Sequence, residues 1–191
     1  MKNITLLFAL SLICFTACKT KEPVADTSTR RELPQESIAE VTRAEINFSD
    51  QETWLLGYFN RWQLTSEPHS NWFLPGYDSF QPGTEALNKL LDINSDDLTI
   101  KIIMGTWCPD SRREVPRFLR IIDLWQFPVK NITFIGVDNA KLSPVGEYEK
   151  LDIQRVPTFI FYINNIEAGR IIENPKTSLE QDMVNILTRN E

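Results

Sequence analysis

The chain has 191 residues, 42% of them hydrophobic and 24% charged, and a formal net charge of −6. Such a composition leads us to expect one globular domain with an extension, holding enough apolar material for a core without covalent staples. The acidic balance argues against nucleic acid as a main partner, because a phosphate backbone selects a basic face, and Arg30-Arg31 and Arg112-Arg113 are isolated pairs.

Met1-Lys2-Asn3 is a short, positively charged start, and Ile4 to Ala17 is a mostly apolar run. A bilayer span needs roughly 20 apolar residues, so the run reads as the hydrophobic region of a secretory signal. It ends in Phe15-Thr16-Ala17-Cys18. Small residues before a cysteine resemble a lipobox, and the resemblance implies cleavage before Cys18 and acylation of Cys18. The alternative is an ordinary signal peptide cleaved near Ala17, with Cys18 incidental. Loss of residues 1–17 removes one cation, Lys2, and takes the net charge to −7. By the same resemblance, Lys19 after the cysteine would not hold the protein in an inner membrane. The expected location is therefore the bacterial cell envelope, lipid-anchored at Cys18 in the outer membrane and facing the periplasm. Residues 18–37 are rich in Lys, Glu, Thr, Ser and Pro without hydrophobic periodicity, which predicts a flexible tether.

Residues 38–83 read as an N-terminal helical and aromatic-rich extension. Ser49-Asp50-Gln51-Glu52 has the pattern of a capping box, predicting a helix from about Asp50 to Leu64. Trp54, Tyr58 and Trp62 would form its packed stripe. Thr65 to Gly83 carries three prolines and two glycines and reads as a loop, with Trp72, Phe73, Tyr77 and Phe80 packing on the core. His69, the sole histidine, reads as solvated surface with no metal partners in sequence.

Over residues 84–191 the pattern alternates. Thr84 to Leu91 reads as a short helix, Leu98 to Met104 as a strand, Pro109 to Trp125 as a helix and Ile132 to Val137 as a strand. Asp138 would then start a turn. Pro144 to Leu151 reads as a short helix. Thr158 to Ile163 and Arg170 to Glu173 read as strands around a turn from Asn164 to Gly169. Ser178 would cap a closing helix ending at Thr188. The order predicts an α/β fold, a mixed sheet with helices on both faces.

The chemistry concentrates in Gly105-Thr106-Trp107-Cys108-Pro109-Asp110-Ser111, between a strand and a helix. A helix N-terminus presents unpaired N–H groups and partial positive charge, which favours a thiolate. Pro109 suits the first helical position, where its missing N–H costs nothing. Asp110 would stabilise the helix start by charge, and if close to Cys108 would oppose thiolate formation. Ser111 reads equally as a hydrogen-bond donor to the thiolate or as a solvated residue of the first turn.

Trp107-Cys108-Pro109-Asp110-Ser111 resembles the thioredoxin-family Trp-Cys-x-x-Cys motif, with serine in place of the second cysteine. Pro116 matches the proline that kinks the family's active-site helix. Val156-Pro157-Thr158 is similar to its cis-proline signature, and the hairpin and capped final helix resemble its C-terminal layout. The resemblance covers residues 84–191 and implies a thioredoxin-like fold. It also implies Cys108 as nucleophile, with Trp107, Ser111 and Pro157 beside it and Val156, Pro109 and Asp110 in contact with substrate. The Val156 backbone would pair with a bound segment like an added strand.

Without a second cysteine, a mixed disulfide on Cys108 must be resolved by an outside thiol or a second cysteine of the substrate. Ile102 stands where the family often has a buried acid. Both departures point away from a self-sufficient dithiol enzyme. The expectation is a monothiol exchange protein whose partners are client proteins with cysteines or small thiols, with no cofactor and no metal. Two rivals stay open. One is a binding or chaperone-like module in which Cys108 is a remnant. The other is a thiol peroxidase, although the peroxiredoxin-type Pro-x-x-x-Thr-x-x-Cys pattern is absent, with Lys101 and Gly105 at its first two positions. A Cys108/His69 hydrolase pair has no supporting motif.

Overall fold

The computed structural model describes residues 47–189. The expected signal peptide, Cys18 and the tether lie outside the described residues, as does the start of the 38–83 extension. Five strands form one mixed sheet in the order β1-β3-β2-β4-β5. They are β1 (Gly57–Phe59), β2 (Leu98–Met104), β3 (Ile132–Gly136), β4 (Thr158–Ile163) and β5 (Ile166–Ile172). The helices are α1 (Arg61–Leu64), α2 (Ser70–Ser79), α3 (Thr84–Leu91), α4 (Pro109–Leu124) and α5 (Leu179–Leu187). β2 and β3 run parallel, joined through α4, and every other pairing is antiparallel.

Period-2 alternation in the central strands separates two apolar clusters. Ile100, Ile102 and Met104 of β2 and Phe159 and Phe161 of β4 join buried residues of α1 through α5 in the larger one. Phe118 of α4 stacks on Phe159 at 4.2 Å between ring centroids. Ile103 of β2 and Ile160 of β4 lie in a smaller cluster with Cys108, Val137, Val145, Tyr148 and Val156. The expectation of helices on both faces is corrected here. All five helices contribute to the larger cluster, whereas the smaller is closed by the connection from β3 to β4. The short helix expected at Pro144–Leu151 is only a 3-10 turn at Tyr148–Leu151.

The region before β2 departs most from expectation. No helix spans Asp50 to Leu64. Instead Asp50 caps a 3-10 turn at Gln51–Thr53, accepting from the Glu52 N–H at 3.1 Å. Gly57 then takes φ +74° and opens β1, which pairs with β3. Four-residue aromatic spacing was therefore misleading: Tyr58 on the edge strand and Trp62 on α1 are 67% and 63% exposed. The loop expected over 65–83 holds α2, despite Pro75 inside it. Phe73 is buried, and Trp72, Tyr77 and Phe80 pack partly against the core, so tertiary burial outweighs a proline's lost hydrogen bond.

Other expectations hold with small shifts. α3, β2 and α4 lie where the pattern put them. Asp138 starts a turn, its Oδ1 accepting from the Leu142 N–H at 2.8 Å. The β4–β5 hairpin is tighter than expected, because Asn164 and Asn165 both adopt positive φ and turn the chain in two residues. Ser178 caps α5, accepting from the Gln181 N–H at 3.3 Å.

One polar node ties α1, α2 and α4 together. Arg61 donates to both oxygens of Asp123, at 2.7 and 2.5 Å, and the Tyr77 hydroxyl donates to the same carboxylate. Burial raises the Asp123 carboxyl, but hydrogen bonds from Arg61 and Tyr77 and the Arg61 charge outweigh it and hold the group below its ordinary range. The stabilisation is therefore full above the unfolded carboxylate range and fades as pH falls through the lower folded value. Asp123→Asn is expected to cost about 1–2 kcal/mol at neutral pH, discounted for partial exposure of the pair. In urea titrations the gap from the native chain should close below about pH 4.

Candidate functional site

Cys108 is the N-cap of α4, with φ −80° and ψ 123°, and its carbonyl accepts from the Arg112 N–H at 3.0 Å. The fold places it there because β2 ends at Met104 and a turn closes from the Cys108 N–H to the Gly105 carbonyl at 3.0 Å. Pro109 occupies the first helical position. The side chain is 7% exposed, and its sulfur lies 3.4 Å from the Val156 carbonyl, to which the S–H donates. The Val156–Pro157 bond is cis. Val156 and Pro157 just before β4 thus sit against the start of α4, bringing together two segments far apart in sequence.

Ser111 is fully buried, and its Oγ accepts from the Gly105 N–H at 3.3 Å. The solvated first-turn reading is corrected, and the hydroxyl bonds to backbone rather than to sulfur. The physical reason is that the first turn of α4 packs its inner side onto the end of β2, leaving the Gly105 N–H to be satisfied inside the protein. Asp110 pairs with Arg113 at 2.7 Å in the same turn. Its charge is thus engaged along the helix while it favours the helix start.

Trp107 folds back across Gly105 and donates its indole N–H to the Val137 carbonyl at 2.9 Å. A Cβ on Gly105 would lie 2.4 Å from the Trp107 Nε1, so only glycine admits this close approach. Trp54 packs on Trp107 with centroids 6.2 Å apart.

Residues 48–55 form a strap over this side of the site. The Trp54 indole donates to the Phe48 carbonyl at 3.1 Å, and the Leu55 N–H donates to the Thr106 hydroxyl at 3.3 Å. Leu55 passes so close to β3 that a Cβ on Gly136 would lie 2.0 Å from its carbonyl oxygen. Phe48 covers the guanidinium of Arg112 at 4.9 Å, and Arg112 Nη1 donates to the Thr106 carbonyl at 3.3 Å. Burial lowers the Arg112 guanidinium from its usual range, and the negative charge available at Cys108 acts in the opposite sense. Sequence reasoning missed Arg112, Phe48 and Trp54 as parts of the site. A signal existed for Arg112, which lies four residues after Cys108 and so on the same helix face.

His69 is buried at 3% exposure, correcting the solvated reading. It packs between Phe48 and Trp72, with centroids at 5.9 and 6.0 Å, and desolvation lowers its imidazole from the ordinary value. Its Nδ1 and the Trp72 Nε1 have no hydrogen-bond partner among the described residues. No hydrogen bond joins His69 to Cys108 among the described residues, and the Cys108 sulfur donates to the Val156 carbonyl instead, so the geometry does not assemble a Cys–His pair. Tyr148, in the same cluster as Cys108, donates to the Lys141 carbonyl at 2.8 Å, and burial pushes its phenol up to about 12. It stays protonated at neutral pH and supplies no base.

Among the described residues no three His, Cys, Asp or Glu side chains gather to hold a metal, and no helix is long and apolar enough to cross a membrane. The arrangement offers one sulfur at a helix start, one guanidinium beside it and a backbone carbonyl facing it. Its chemical capability is nucleophilic attack by sulfur.

No protein-family model and no curated protein matches the chain. Among solved structures it is similar to a protein of unknown function from Pseudomonas aeruginosa. The two share 13% identity over 63% of this chain and 77% of that one, with a TM-score of 0.41.

Proposed function

We propose that the chain is an envelope lipoprotein, anchored through Cys18, whose thioredoxin-like domain carries out thiol–disulfide exchange through Cys108 alone. The observation that carries this reading is the Cys108 sulfur at the N-cap of α4, held against the carbonyl that precedes cis Pro157. A helix start favours the thiolate, and the thiolate is the attacking species. The β2-α4-β3 unit, the β4–β5 hairpin and the closing α5 support a thioredoxin-like architecture around it.

In the exchange step, the Cys108 thiolate attacks one sulfur of a client or small-molecule disulfide. A Cys108–sulfur bond forms, the client S–S bond breaks, and the second sulfur leaves as a thiolate. The Cys108 sulfur is oxidised to the disulfide level as the leaving sulfur is reduced. Release requires a second thiol, from solution or from the client. Such chemistry suits disulfide isomerisation, reduction of thiol adducts or capture of client cysteines.

A second reading is a binding module built on the same groove. The 7% exposure of Cys108, and the S–H donated to Val156, favour it, because both shelter the sulfur. Reaction of the full chain in detergent with a chromogenic disulfide, with Cys108→Ala alongside to subtract any other thiol, tests the first reading. Stoichiometric release of one leaving thiol, lost in Cys108→Ala, is the expected outcome. No release above that variant would overturn exchange and leave binding as the function.

A further inference from the structure

We propose that the cavity between β5 and α5 binds a phosphate group, as the free ion or on a small molecule. The cavity measures about 280 Å³, and its polar lining is Arg170, Asn174, Lys176, Asp182, Asn185 and Arg189. The side-chain acceptors in that lining are already in use. Asp182 is buried, and its carboxylate accepts from the Lys176 N–H at 2.6 Å and from the Thr177 hydroxyl and N–H at 2.6 and 3.3 Å. The Asn185 oxygen accepts from Gln181 at 2.8 Å, and the Asn174 oxygen accepts from Arg113. Arg170 is likewise engaged, by both oxygens of Glu167 and by the Leu151 carbonyl. What remains is a set of donors: the amide NH₂ groups of Asn174 and Asn185, the Lys176 ammonium and the Arg189 guanidinium. No carboxylate pairs with Lys176 or Arg189 among the described residues. With Arg170 neutralised by Glu167, two cations face one carboxylate here, in a chain whose formal net charge is −6. A cavity that offers donors and net positive charge selects an anion.

The donors come from two separate segments. Asn174 and Lys176 flank Pro175 in the connection after β5, whereas Asn185 and Arg189 stand four residues apart on one face at the end of α5. A tetrahedral phosphate receives hydrogen bonds from several directions, while a carboxylate offers two oxygens in one plane. Arginine binds phosphate as a fork and lysine as a point charge, so the pair of cations suits this group. The connection is also held in place before any ligand arrives. The Glu173 N–H donates to the Pro157 carbonyl at 2.7 Å, Arg113 joins Asn174 to Asp110, and Asp182 fastens residues 176 and 177. Donors positioned in this way need little ordering on binding. The volume lies at the small end of ligand sites, which run from roughly 300 to 1,000 Å³, and so favours a small molecule.

Isothermal titration calorimetry of the full chain in an uncharged detergent tests this with inorganic phosphate, glycerol phosphate and acetate, at about pH 7.5, where phosphate is largely dianionic. Both phosphates should bind with a Kd on the order of 0.1–1 mM at low salt, and acetate at least about tenfold more weakly. Lys176→Gln and Arg189→Gln should each weaken phosphate about fivefold, and the double variant should abolish measurable binding. Lys150→Gln, at an exposed lysine outside the cavity, should change it less than about twofold. Asn174, Lys176, Asn185 and Arg189 are exposed, so these substitutions should leave the fold intact. Tighter binding of glycerol phosphate would assign a phosphomonoester as the ligand, and tighter binding of inorganic phosphate the free ion. Absence of binding by either phosphate up to about 10 mM would overturn the proposal. So would acetate binding as tightly, or phosphate binding that survives the double variant. A lower melting temperature in Arg189→Gln with phosphate binding intact would make Arg189 a charge complementing the C-terminus of α5, and would also overturn its assignment to the site.

Discussion

Ser111→Cys is expected to shorten the life of a mixed disulfide on Cys108 by at least about a hundredfold, because attack becomes intramolecular. Residues three apart in a helix are neighbours, with Cβ atoms roughly 5–6 Å apart, and modest adjustment brings them to disulfide distance. Ser111 is on the inner side of the first turn of α4, and its hydroxyl accepts from Gly105, the residue whose carbonyl also receives the Cys108 N–H. A sulfur at that position has Cys108 within one helical turn. Under the proposed monothiol exchange, an adduct of the native chain with a small thiol is resolved by an external thiol, so its decay should rise in proportion to added thiol. In Ser111→Cys the decay should become independent of added thiol and leave an internal disulfide. Mass spectrometry of the adduct against time distinguishes the two. A native adduct that decays without added thiol would contradict the monothiol mechanism. The variant also exchanges a hydroxyl acceptor for a weaker sulfur at the Gly105 N–H, so a small loss of stability should accompany the kinetic change.

The second large effect is on stability. Phe118→Ala should cost about 3–5 kcal/mol, because a fully buried ring is lost and rigid neighbours cannot close the void. Phe118 is 0% exposed, stacks on Phe159 of β4 and lies 6.1 Å from Phe161, centroid to centroid. The pair fastens α4, and with it Cys108, to the centre of the sheet. Urea unfolding should show a lower midpoint with an unchanged slope, and the melting temperature should drop by roughly 10 °C for a chain of this size. A loss under about 1 kcal/mol would mean that the α4–β4 contact is not the core of the domain.

The two effects divide the helix between them. The inner face of α4 carries the stability, and its first turn carries the proposed chemistry. Phe118→Ala should therefore weaken the fold without altering adduct decay at temperatures where the chain stays folded. Ser111→Cys should mainly change adduct decay, with only its small loss of stability.

How much of this was legible in sequence depends on how local the determinant is. The β2-α4-β3 unit and α5 were readable because period-2 and period-3.6 patterns, Pro109 at a helix start and Ser178 as a cap are encoded within a few neighbouring residues. Cys108 was readable as the candidate nucleophile for the same reason: its place between a strand and a helix is a local fact. The hairpin was placed correctly but drawn too loosely, because the left-handed backbone of Asn164 and Asn165 closes it in two residues.

The sequence by itself thus determined an acidic α/β chain with an apolar, signal-like start and a sulfur at the head of the central helix. Tertiary structure alone decided the rest. Trp54, Tyr58 and Trp62 keep helical spacing, yet pairing of Gly57 with Gly136 draws the segment into the sheet, and no local pattern encodes a partner 79 positions away. α2 forms over Pro75 because burial of Phe73 and the packing of Tyr77 outweigh the missing hydrogen bond. His69 becomes buried because Phe48 and Trp72 close around it from separate segments. Arg112 joins the site through Phe48 and Thr106, contacts made only once the strap lies across the start of α4. In each case the deciding energy is burial against a distant segment, which acts only after the chain has folded back on itself.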